Sequence, residues 1–100
     1  MLMKLLNFNC KEVGKEDLHL FSFTKFDVLT SEEERKLRQI NIEKGLKLGN
    51  LYQQKVFIYF RDVNSENFYV HTTIWAICED VITLKGGRII PIRAIYEVRF

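Results

Sequence analysis

The sequence predicts an α+β fold whose centre is a small five-stranded antiparallel β-barrel or roll, with one main helix and an N-terminal covering segment. Three observations lead there. Residues 55–100 carry five short runs rich in β-branched and aromatic residues, separated by polar or glycine-containing breaks. Ser31 and Glu34 stand at capping-box spacing ahead of a stretch with helical apolar periodicity. Strands this short leave unpaired edges unless the sheet closes on itself or is covered.

The chain of 100 residues, 47% apolar and 13% aromatic, has the composition of one folded unit. We expect a single domain over 1–100, with 1–29 as the covering segment, 31–48 as the helix and 55–100 as the barrel. In the first part, Leu2–Phe8 suits a strand or one helical turn. Gly14, Lys15, Glu16 and Asp17 read as a turn, and the run from Leu18 to Phe26 as an extended strand. The helix begins after Ser31. Glu32, Glu33 and Glu34 place negative charge at its positive end, and Glu32–Lys36 and Glu34–Arg38 are spaced for ion pairs. Leu37, Ile40, Leu48 and Leu51 form its apolar stripe, and Gly45 and Gly49 set its end between Lys44 and Asn50.

The expected strands are Val56–Phe60, Phe68–Cys78, Val81–Leu84, Arg88–Ile92 and Ile95–Phe100. Alternation along Phe68–Cys78 sends Phe68, Val70, Thr72, Ile74, Ala76 and Cys78 to the interior. Tyr69, His71, Thr73, Trp75 and Ile77 go to the other face. A strand this long is expected to bend and serve both halves of a barrel. Gly86-Gly87 is a hairpin signal, because both residues accept positive φ. Pro91 lacks an amide donor, so its strand is an edge or ends there. Ile92 to Ile95 reads as a tight turn of helix leading into the last strand.

No catalytic constellation emerges, and no enzyme, cofactor or metal is expected. His19 and His71 have no partner at metal-ligand spacing, and Cys10 has no adjacent base. Cys78, ending an apolar strand, reads as a small buried hydrophobe. Met1–Phe8 is too short for a signal-peptide core with its flanks, and no run approaches the roughly eighteen apolar residues that span a bilayer. A cytoplasmic protein with no membrane partner is expected. The outward aromatics Tyr69, His71 and Trp75 are the candidate contacts for a protein partner or for self-association, which makes a non-enzymatic interaction module the leading reading. The net charge of +2 does not demand a polyanion, but Lys36, Arg38, Lys44, Lys47 and Lys55 meet Glu43 alone. The alternative reading is an RNA- or DNA-binding regulator using Lys44, Lys47, Lys55, Lys85, Arg88 and Arg93.

The run from Thr72 to Ala76, then Val81–Gly87, Ile90-Pro91-Ile92 and Ile95–Phe100, together with Leu48-Gly49-Asn50 and Lys55–Phe60, resembles a family of short uncharacterised bacterial proteins. More loosely, a helix followed by five bent strands is similar to the SH3/Sm-like barrels and to the small barrel of Rof, an inhibitor of the terminator Rho. That likeness implies architecture only. Phe68–Cys78 contains neither the glycine nor the aspartate of the Sm pattern.

Overall fold

The computed structural model describes residues 10–100, so Leu2–Phe8 lies outside the described residues. The element order is β1 (Lys11–Glu12), a 3-10 helix (Lys15–Leu20), α1 (Glu32–Tyr52), β2 (Val56–Arg61), β3 (Asn67–Thr72), β4 (Ile74–Cys78), β5 (Val81–Leu84), β6 (Ile89–Pro91), a 3-10 turn (Ile92–Ala94) and β7 (Ile95–Arg99). The strands form two open sheets, one of four in the order β1-β3-β2-β7 and one of three in the order β4-β5-β6. The five-stranded barrel is therefore not what the chain builds. Among the described residues there are seven strands, and no ladder joins the two sheets.

The reason lies at Thr73. The bend expected in Phe68–Cys78 is present, but it cuts the run into two strands that belong to different sheets. Thr72 is the last residue paired with β2, opposite Val56, and Ile74 is the first paired with β5, opposite Leu84. Between them the Thr73 carbonyl accepts the Lys85 N–H at 2.9 Å, and its hydroxyl donates to the Gln53 carbonyl at 3.4 Å. The two seams that a barrel would have to close are filled instead. Helix α1 packs on β4 and β7, and the 3-10 helix over Lys15–Leu20 packs on β3 and β6. That 3-10 helix replaces the strand expected from Leu18 to Phe26, of which one bridge, Phe23 to Asp62, survives. The extended Gly14 opens it, the Asp17 N–H bonds the Gly14 carbonyl at 3.0 Å, and Leu18 is its buried contact.

A second departure follows two residues later. The register shifts between Ile74 and Ala76, so Trp75 is an extra residue on β4. A one-residue shift exchanges the faces of everything beyond it. Ile77 packs against the core, while Ala76 and Cys78 are exposed, which reverses the expected placement of all three. Cys78 is an exposed free thiol rather than a buried hydrophobe. The Gly86-Gly87 hairpin forms with φ of 92° and 88°, Pro91 sits in the edge strand β6, and the 3-10 turn feeds β7.

Helix α1 starts where the cap places it, with Ser31 Oγ accepting the Glu34 N–H at 3.1 Å. It runs past both glycines to Tyr52. Its buried residues are Arg38, Ile42, Gly45 and Gly49, spaced four, three and four apart along one face. A Cβ added at Gly49 would stand 2.5 Å from the Ile74 carbonyl oxygen, and one at Gly45 would stand 3.0 Å from Ile74 Cδ1. The glycines let the helix axis approach β4; they do not end the helix. Arg38 is 6% exposed and does not pair with Glu34. It holds Asp27 through two 2.8 Å bonds and donates to the Ile95 carbonyl at 3.0 Å, which ties the incoming segment and β7 to the helix.

Two stability measurements follow. Gly49→Ala is expected to lower stability by about 1–3 kcal/mol in chemical denaturation, because backbone cannot yield to the new methyl. Gly45→Ala is expected to be near neutral, since the mobile end of Ile74 can move and alanine favours the helix by about 1 kcal/mol. Burial pushes the Asp27 carboxyl up, but its bonds to Arg38 and the Leu29 N–H, with the charges of Arg38 and Arg35, outweigh it and hold it below the usual carboxylate range. Its stabilisation is complete above about pH 5. It declines as the unfolded carboxyl near ~3.9 takes up protons, and is gone below the depressed folded value. Asp27→Asn is expected to cost about 3 kcal/mol at neutral pH and to flatten this acid limb in denaturation at stepped pH.

Candidate functional site

The open face of the four-stranded sheet holds four rings. The β2–β3 register sets Phe57 opposite His71 and Tyr59 opposite Tyr69. Cross-strand neighbours this close stack on one another. Phe57 and His71 lie parallel at 4.0 Å between centroids with 2° between planes, and Tyr59 and Tyr69 are 5.2 Å apart. The Arg99 guanidinium lies 4.9 Å from the Tyr59 ring and bonds Glu97 at 3.1 Å. At one end of the face, Cys10 and Val28 pack with Tyr59 around buried Leu29 and Tyr96. Burial pushes the Cys10 thiol up against the opposing charge of Arg99, away from the reactive thiolate. The rings are largely engaged with each other, and Tyr69 is half-buried.

Trp75 stands apart from them. It stands at the bulge and lines a cleft of about 240 Å³ between the end of α1 and the start of β4, together with Gly49, Asn50, Gln53, Thr73 and Lys85. Thus the three aromatics expected to share one surface are divided, with Tyr69 and His71 on β3 in one sheet and Trp75 on β4 in the other. The basic residues are divided as well. Lys85 lines the Trp75 cleft, whereas Arg88 lines a second hollow with Leu18, His19 and Phe21. The Arg93 Nε–H donates to the Thr24 carbonyl at 2.8 Å and holds the N-terminal segment. Lys44 sits 4.8 Å from the Phe100 ring, and Lys47 and Lys55 are exposed near the end of α1.

The chain matches no protein-family model, no curated protein and no solved structure. Its own geometry has to carry the functional reading. Among the described residues, no group of three His, Cys, Asp or Glu side chains is placed to hold a metal ion, and no helix is long and apolar enough to cross a membrane.

The surface that sequence periodicity misassigned is the outer flank of α1. Leu37, Ile40, Lys44, Leu48 and Leu51 follow at spacings of three, four, four and three, so they share one face. Leu37, Ile40, Leu48 and Leu51 are the apolar stripe expected from the sequence, yet Leu37 and Ile40 are 59% exposed, Leu51 is 71% exposed and Leu48 is half-buried. The signal that distinguishes the two faces was in the sequence. Ile42, Gly45 and Gly49 form a narrower, small-residue stripe that permits closer packing than leucines do.

Proposed function

We propose that the chain is a non-enzymatic protein-interaction module whose helix α1 receives an amphipathic helical segment flanked by carboxylates. The observation that carries this reading is the stripe of exposed Leu37, Ile40 and Leu51 with half-buried Leu48 along a helix anchored on its opposite side. Apolar side chains repeated along one face over several turns, here interrupted by Lys44, can meet the apolar face of a partner helix. Charge selects the partner. Lys44 lies within the stripe and Lys36 and Lys47 border it, against Glu43 beside it and Glu33 one turn before Leu37, so the charge facing a partner over Lys36–Lys47 is net positive. A second copy of this chain is disfavoured, because pairing the stripe with itself sets Lys44 against its own counterpart.

The test uses two synthetic amphipathic peptides that share one leucine face and carry either Glu or Lys on the flanks, read by fluorescence anisotropy. The Glu-flanked peptide is expected to bind and the Lys-flanked one to fail. Leu37→Glu with Leu51→Glu is expected to weaken binding by about tenfold or more, which is about 1.4 kcal/mol or more. Both positions are exposed, so stability should change by no more than about 0.5 kcal/mol each. Equal binding of both peptides, binding of neither, or dimerisation through this face in sedimentation refutes the proposal.

A further inference from the structure

We propose that the cleft between the end of α1 and the start of β4 seats one nucleobase with its phosphate, delivered by a single-stranded nucleic acid, with Trp75 as the stacking wall and Lys85 as the counter-charge. The site is separate from the stripe on α1 and does not depend on it.

Two local irregularities converge on this cleft. The β-bulge makes Trp75 the unpaired residue of β4 and leaves it 49% exposed. Bulges of this kind re-aim a side chain, often beside a functional site. Across the cleft, Gln53 closes α1 in the left-handed region at φ 53°, where glycine is the ordinary choice. That conformation, which Ser65 and Glu79 also adopt, caps the helix through the Gln53 and Gln54 N–H bonds to the Gly49 and Leu48 carbonyls and sets Gln53 at the mouth of the cleft. Among the described residues Trp75, like the exposed Phe26 and Tyr52, has no aromatic partner, and of the three it alone lines this cleft.

The lining defines the ligand. Trp75 offers one flat aromatic wall, Asn50 and Gln53 offer carboxamides that both donate and accept, and Lys85 offers an ammonium. No carboxylate lines the cleft. Such a set suits a planar heterocycle carrying an anionic group. At about 240 Å³ the space falls below the roughly 300–1,000 Å³ of sites for larger organic ligands, which fits a single base. The surroundings favour a polyanion. Lys55 precedes Val56, whose partner is Thr72, so Lys55 lies at the same end of the strands as Trp75. Glu79 and Asp80 occupy the far end of the β4–β5 hairpin. A base already paired and stacked in a duplex cannot enter, whereas an unstacked base of a single strand can.

Trp75 is the one tryptophan of the chain, so its fluorescence reports the site directly. The probes are an oligouridylate single strand, uridine 5′-monophosphate, inorganic phosphate and an RNA duplex. We expect saturable quenching by the single strand, weaker quenching by the mononucleotide, and none by phosphate or duplex. Each neutralised phosphate should make affinity fall about threefold between ~50 and ~200 mM salt. Lys85→Gln should remove one such contact and reduce the salt dependence. Trp75→Phe should retain weakened binding and Trp75→Ala should lose it, read by anisotropy of a labelled strand with circular dichroism as the check on folding. Gln53→Gly should raise Tm while weakening binding, which a merely structural Gln53 would not do. Leu37→Glu should leave quenching unchanged.

Absence of quenching, equal quenching by duplex, or undiminished binding by Trp75→Ala overturns the site. Binding of the mononucleotide without the strand overturns its assignment to nucleic acid. Loss of quenching in Leu37→Glu overturns its independence from the helix face.

Discussion

The rest of the molecule depends on how closely α1 approaches β4. Two glycines one turn apart bring the helix backbone to the Ile74 carbonyl, closer than any side chain permits. That contact fixes the rotation of the helix about its axis. With Arg38, Ile42, Gly45 and Gly49 turned inward, a stripe of leucine and isoleucine is left outside. A helix packed through leucines would sit further from the sheet and keep those side chains dry. The exposed stripe is therefore a consequence of the packing choice, not an accident of composition.

Close approach also accounts for the open architecture. Two short sheets need their margins protected, and closure into a barrel is one way to do it. Here the seam between β4 and β7 is occupied by α1, and the seam between β3 and β6 by the 3-10 helix over Lys15–Leu20. The remaining margins are short: β1 has two residues and β6 ends in Pro91. The Arg38–Asp27 pair then secures the arrangement, since one guanidinium holds residues from the incoming segment, the helix and β7. A buried pair of this kind costs desolvation, so its value lies in fixing register among three elements more than in net stabilisation.

What the sequence made legible was local. The Ser31 cap, the Gly86-Gly87 hairpin, the Pro91 edge and the turn at Ile92–Ala94 each rest on backbone chemistry confined to a few residues, and each appears in place. What it concealed was relational. Alternation from Phe68 to Cys78 treats the run as one strand of constant phase, but Thr73 spends its polar groups on Gln53 and Lys85, and Trp75 adds a residue. Neither partner is near in sequence. The glycines of α1 were equally ambiguous, because a glycine late in a helical pattern marks a stop or a close contact, and only the presence of Ile74 decides between them. The candidate aromatics suffered from the same break: Tyr69 and His71 lie before it and Trp75 after it.

The placement of that break has a further consequence. Thr73 leaves one sheet, Trp75 disrupts the next, and Gln53 turns left-handed to end the helix, all within one small region. A helix of this length could end one residue later or earlier with a glycine and no strain. The Thr73 hydroxyl bonds the Gln53 carbonyl, so the break between the sheets and the left-handed end of the helix are tied to each other. The left-handed Gln53 also serves the helix end, where its N–H and that of Gln54 bond the Gly49 and Leu48 carbonyls, so the cleft lies where a helix cap, a sheet break and a bulge meet.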